Sequence, residues 1–187
     1  MAWIPFVATA VLVLLVIGIY NSLVRLKVQS ENAWADIDVQ LKRRYDLIPN
    51  LVETVKGYAG HEKQTLDAVI AARNRAMATT TPATKAEAED VLVQSLKSLF
   101  ALAEAYPQLR AVESFTQFQT SLNQIEEAVQ NSRRYYNAVV RDLNTKIQEF
   151  PSNFIANFFS FKPREFFEIS ESAERAVPKV TFEQASR

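Results

Sequence analysis

The chain of 187 residues contains no cysteine. Disulfides, a thiolate nucleophile and a cysteine-based zinc site are therefore excluded. Glycine occurs three times, at positions 18, 57 and 60, and no Gly-rich phosphate loop can be written from that spacing. The single histidine, His61, stands in His61-Glu62-Lys63-Gln64-Thr65, which is not H-E-x-x-H. One imidazole without a second type of ligand nearby is a poor metal site. There is no G-x-S-x-G. Net charge is absent too: Lys plus Arg and Asp plus Glu both number 21, which gives no argument for a nucleic-acid partner. The last absence is local. The first twenty residues hold no charged side chain, and every charge follows them.

What fills that uncharged stretch is apolar. Residues 3–20 make 18 residues, about 27 Å as a helix. Extension to residue 24 gives about 33 Å, against a hydrocarbon core of about 30 Å. Pro5 falls in the first turn, where its missing N–H costs little. Trp3 and Tyr20 sit near the ends, where amphipathic rings favour the lipid–water interface. A cleaved signal peptide is the rival reading. It would have a basic n-region and an A-x-A-like site, but no Lys or Arg precedes the run, and Ile-Tyr-Asn-Ser-Leu follows Gly18. A buried core helix is disfavoured because the segment is apolar all round. Residues 1–22 are therefore expected to be a single transmembrane anchor. Arg25 and Lys27, then Lys42, Arg43 and Arg44, follow the run, while only the α-amino group precedes it. By the bias of basic residues this favours the N-terminus outside and the C-terminal part in the cytoplasm. Arg43 and Arg44 are candidates for anionic lipid headgroups, with topology and solvation as the duller role.

The remaining chain is long enough for one domain with a core. Residues 23 to about 77 read as one helix. Leu23, Leu26, Trp34, Ile37, Leu41, Tyr45, Ile48, Val52, Val55, Ala59, Leu66 and Val69 recur mostly three or four apart. Asp38, Lys42 and Asp46 read as i,i+4 neighbours on a solvated face. Pro49 should kink or break the rod. Residues 78–90 read as a loop followed by the start of a second helix, which runs to about residue 105. Thr81 is its expected N-cap with Pro82 at N1, and Thr84 with Glu87 is an alternative capping box. Its buried stripe is Val91, Leu92, Leu96, Leu99, Phe100 and Ala103. A third helix over about 109–149 presents Val112, Phe115, Phe118, Leu122, Ile125, Val129, Tyr136, Val140, Leu143 and Ile147, and Pro151 ends it. The expected fold is all-α: a transmembrane helix, then an elongated antiparallel helical bundle over 23–150 of four-helix-bundle type, with long first and third helices.

The segment 151–187 is rich in aromatics. Phe154, Phe158, Phe159, Phe161, Phe166 and Phe167 crowd into fourteen residues. Asn153 could cap a short helix through Ser160, and Pro178-Lys179-Val180-Thr181-Phe182 reads as extended. The rings either plug the bundle or form an apolar patch for self-association or membrane contact.

The run Ile37-Asp38-Val39-Gln40-Leu41-Lys42-Arg43-Arg44, then Asp46-Leu47-Ile48-Pro49-Asn50-Leu51-Val52, resembles the LemA family of bacterial membrane-anchored proteins. Val55-Lys56-Gly57-Tyr58-Ala59 and His61-Glu62 continue the resemblance. Ala105-Tyr106-Pro107-Gln108-Leu109, Tyr136-Asn137, Phe150-Pro151 and Phe166-Phe167-Glu168 match further on, in order. The resemblance implies an antiparallel four-helix bundle behind one membrane helix, and no established activity, cofactor or catalytic residue. Some relatives carry a lipid-bearing Cys just before the Tyr-Asn pair; Ile19 stands there in this chain.

These features lead to the expectation of a non-enzymatic, membrane-tethered scaffold that self-associates. Its partners would be the bilayer and a membrane protein, with no small-molecule substrate and no nucleic acid. An accessory subunit of a membrane protease or transport system is the alternative, and a hydrolase using His61 and Glu62 a remote one. The membrane-interface candidates are Trp3, Tyr20, Arg25 and Lys27. The partner-binding candidates are Pro49, Asn50, Gly57, Tyr58 and His61, with Phe158, Phe159, Phe161, Phe166 and Phe167.

Overall fold

The computed structural model describes residues 3–168, and every regular element among them is a helix. The helices are α1 (Ile4–Ala59), α2 (Lys63–Ala78), α3 (Pro82–Glu104), α4 (Pro107–Arg110), α5 (Glu113–Gln148) and α6 (Ser152–Phe158). The expected extended segment at 178–182 lies outside the described residues.

At 56 residues, α1 is about 84 Å long. Its first half is the one described helix apolar and long enough to cross a membrane, and almost none of that stretch is buried within the protein. Its second half enters a core that it shares with α2, α3, α4 and α5. Partner positions fix the directions. Trp34 lies against Tyr136 with ring centroids 5.3 Å apart, and Arg44 pairs with Glu126. Numbers rise on α1 as they fall on α5, so the two run antiparallel. Asp38 pairs with Lys85 and Arg44 with Glu89, rising together, so α3 runs parallel to α1. Nearly all the apolar positions read from spacing are buried or half-buried. Val91 is the exception; it is exposed, and its neighbour Leu92 takes the core place.

The helix expected to reach residue 77 ends at Ala59, and α2 doubles back. The break falls at Gly60 and not at Pro49. A Cβ at Gly60 would lie 2.9 Å from the Lys56 backbone oxygen, too close for any larger residue without a backbone shift. Pro49 stays inside an unbroken helix. Proline leaves the carbonyl four residues earlier without its helical donor, and here that carbonyl belongs to Tyr45. Arg73 of α2 supplies the replacement: its Nε donates to the Tyr45 oxygen at 2.7 Å. Proline's defect thus becomes a tie between α1 and α2. Arg73→Ala is expected to cost about 1–3 kcal/mol, the range for an orphaned backbone group. Adding Pro49→Ala should recover part of that loss by restoring the helical N–H. Urea unfolding of the four variants measures the coupling, and additive losses would disprove the tie.

The start of α3 is as expected, with Pro82 at N1 and the Thr81 hydroxyl accepting from the Thr84 amide. The third helix begins later than expected. Pro107 opens the single turn α4, the chain bends at residues 111–112, and α5 begins at Glu113. After α5, Ser152 donates to the carbonyls of Lys146 and Glu149 at 2.6 and 3.0 Å. Asn153 is not the N-cap of α6; it sits in the first turn, and its side chain accepts from the Phe154 amide. Beyond α6, Ser160 adopts a left-handed φ of 57° and the chain turns back.

Residues 160–168 form a strap beside α5 with no helix of their own. Asn144 both donates to the Arg164 carbonyl (2.9 Å) and accepts from the Arg164 amide (2.9 Å). Asn137 does the same for Phe167, at 3.0 and 2.9 Å. Tyr136 donates to the Glu165 carbonyl. Four backbone groups that no helix or sheet satisfies are thus taken by two side-chain amides.

Candidate functional site

Most of the sequence candidates fall into two groups at opposite ends of the bundle, with Trp3, Phe166 and Phe167 apart from both. Asn50, Gly57, Tyr58 and His61 all face outward at the far end of α1 and its following turn, with Pro49 beside them. Tyr58 is 38 residues beyond Tyr20, which is about 57 Å along a helix. Gly57 has nothing within 4 Å of the place a Cβ would occupy, so packing does not require it. His61 is exposed. The carboxylate of Glu62 accepts a long 3.4 Å bond from the Tyr106 hydroxyl, a contact that joins two of the motifs quoted above. Among the described residues no group of three His, Cys, Asp or Glu could hold a metal ion.

The other group lies where α1 leaves its apolar stretch. Trp3 is exposed at the outer end of that stretch, and Arg25 and Lys27 are exposed just after it. Tyr20 packs its ring on Phe159 at 4.7 Å and on Phe161 at 5.9 Å. Phe158 and Phe159 are exposed, and Phe161 is half-buried against the cluster of Leu23, Leu143, Ile147 and Ala156. Between α1 and the chain after α6 is a cleft of about 610 Å³ whose lining includes Tyr20, Lys27, Glu31, Phe159, Lys162 and Arg164. Arg164 is tied across it to Glu31 at 2.6 Å. Phe167 is not a surface residue: it is fully buried, with Trp34 at 5.6 Å, and Phe166 is half-buried against the same core. These two rings plug the bundle.

Spacing missed a charged cluster inside the bundle. Arg44 is buried and does not meet lipid headgroups. It lies 24 residues beyond Tyr20, about 36 Å, and donates to Glu89 at 2.7 Å and to Glu126. Arg43 is exposed at the same height and bonds Gln40. Glu89 accepts from Arg44 with one oxygen and from the Tyr45 hydroxyl with the other. Asp38, expected to pair along α1, reaches across to Lys85 at 3.1 Å. Burial pushes the Glu89 carboxyl above its ordinary range, while Arg44 and the Tyr45 hydroxyl pull it back. Burial, then the charge of Glu89, raises the Tyr45 phenol strongly, so it remains a donor. The signal was present in the sequence: Arg44 sits three after Leu41 and four before Ile48, on the buried face itself.

Glu126 is the open side of this cluster. Between α3 and α5 lies a groove of about 270 Å³ in which Glu126 is half-buried beside Leu96, Phe100 and Leu122, with the buried Arg44 at its base. The arrangement offers polar contact in an apolar groove.

The LemA family model matches residues 33–182. Protein LemA of Metamycoplasma hominis is 26% identical over 159 residues, covering 83% of this chain and 71% of its own. Magnetosome protein MamQ 2 of Paramagnetospirillum magneticum is 29% identical over 83 residues, covering 44% of this chain. MamQ of Magnetospirillum gryphiswaldense is 29% identical over 73 residues, or 39% of this chain. The matches span less than a third of each MamQ protein, at 30% and 27%. The family model covers α2 to α6 and the half of α1 that enters the core, and on that span the chain belongs to the LemA family.

Proposed function

We propose that the protein is a non-enzymatic, membrane-tethered interaction protein of the bacterial inner membrane, with its bundle in the cytoplasm. The continuity of α1 is the observation that supports this most. One helix supplies both the apolar stretch and the bundle's longest core face, without a break at Pro49. A stalk of that kind fixes the height and direction of whatever its far end displays. The exposed set Asn50, Gly57, Tyr58 and His61 is what it displays, and that set is the docking surface. Self-association belongs to the same reading, as does a membrane-protein partner.

Photo-crosslinking in intact cells from a probe at Gly57 tests the docking surface. A discrete adduct, to a second copy or to one other protein, is expected there and not from a probe at Gln117 on the outer face of α5. Equal or absent crosslinking at the two positions would contradict the proposal. For the side of the membrane, alkaline phosphatase fused after Arg187 is expected to be inactive.

A further inference from the structure

The membrane-proximal end of the bundle exposes more aromatic surface than its fold uses. Phe150, Phe154 and Phe158 recur four apart, and they are 79%, 66% and 81% exposed. Phe159 adds 47%. The rings touch one another in pairs, Phe150 with Phe154 at 6.0 Å and Phe158 with Phe159 at 5.0 Å. The opposite face of α6 holds Ser152, Ile155 and Ala156, which are buried or half-buried against the protein. So α6 is two-faced, and its more apolar face is the one turned outward. Contiguous exposed rings of this size mark a contact site.

Their height identifies the contact. Phe159 lies on Tyr20, and Ile19 packs in the same cluster as Ile155 and Ala156. The foot of the bundle therefore overlaps the last turn of the apolar stretch. A hydrocarbon core of about 30 Å needs about twenty helical residues. Residues 3–20 supply eighteen, so the lipid boundary falls at Tyr20 or beyond it. Rings level with Tyr20 are then within the interfacial layer, where aromatic side chains are favoured. Lys27 and Lys162 line the neighbouring cleft, at the level of headgroups, and neither forms an ion pair among the described residues.

We propose that Phe150, Phe154, Phe158 and Phe159 form a second membrane contact, a foot that enters the bilayer surface beside the transmembrane helix. Helix and foot together hold the bundle at two points and fix its tilt, where a single helix would leave it free to lean. The inference rests on the membrane-anchored reading of α1.

The absence of cysteine makes the test clean. Single labels of an environment-sensitive fluorophore are placed by Val13→Cys, Phe154→Cys, Phe158→Cys or Gln117→Cys in the full chain. The protein is reconstituted into vesicles of phosphatidylcholine and phosphatidylglycerol carrying nitroxide-labelled lipid. Labels at 154 and 158 should be quenched at least half as strongly as the label at 13, and several-fold more than the label at 117. Quenching at 13 alone would overturn the foot and leave the anchor standing. No quenching at 13 would overturn the anchor, and the foot with it. Labels at 158 that quench one another while escaping the lipid nitroxide would show a second copy on this surface, and would also overturn the foot.

Discussion

Replacing Arg44 by alanine is expected to lower the unfolding free energy by about 3–5 kcal/mol, the range for removing one partner of a buried ion pair. The loss comes less from a missing attraction than from what remains. Glu89 is almost wholly enclosed, and without Arg44 its carboxylate keeps only the Tyr45 hydroxyl and the more distant Lys85 charge. Replacing both partners by apolar residues, Arg44→Met with Glu89→Leu, removes the stranded charge. That double variant should be far less damaged than Arg44→Ala, because isolated desolvation is the dominant cost. Denaturant unfolding in detergent, followed by helical circular dichroism, measures both. Similar losses in the two would show that the cluster matters through packing alone.

The same cluster gives a pH dependence whose direction is fixed. Glu89 titrates above its ordinary value of 4.5 when folded. Below the unfolded value both states hold the proton, and the group's contribution to stability is fully present. As pH rises, the unfolded chain releases the proton first, and the contribution is lost by the time pH has passed the raised folded value. The native protein should therefore lose stability relative to Glu89→Gln across that interval.

The second large effect is expected at the strap. Phe167→Ala should cost about 3–5 kcal/mol, as for large-to-small changes of buried aromatics. Phe167 is wholly enclosed, with Trp34 as an edge-on neighbour, and its backbone is gripped by Asn137. Phe167→Leu keeps most of the volume and should cost much less. Since Trp34 also touches Tyr136 at 5.3 Å, its emission should shift to the red when the ring is removed. Wild-type stability in Phe167→Ala would mean that the strap merely lies on the bundle.

Why some of this was legible from spacing, and some not, follows from the range of the forces involved. Ile37, Leu41, Ile48, Leu92, Ile125 and Val140 were found because burial of a helix face repeats along the chain itself. Thr81 and Pro82 were found because a cap is local. The helix is carried to about residue 77, with a kink or break expected at Pro49, because the partner that rescues the Tyr45 carbonyl, Arg73, lies on another helix. Arg44 was read as a surface cation because its counter-charges are 45 and 82 positions away. Tyr136-Asn137 and Phe166-Phe167-Glu168 were noticed only as separate motifs; in the fold, Asn137 grips the backbone of Phe167. Local patterns are visible one segment at a time, whereas a buried polar group depends on which segment comes to meet it.

A rigid stalk from bilayer to far end is the central claim, and one distance tests it. Spin labels introduced at Leu15 and Asn50, both exposed on α1, are 35 residues apart and should lie about 52 Å apart along an unbroken helix. Pulsed electron–electron resonance on the full chain in lipid vesicles should give a single narrow distribution near that distance. A broad, shorter or two-peaked distribution would mean that the helix bends between membrane and bundle, and would contradict the account.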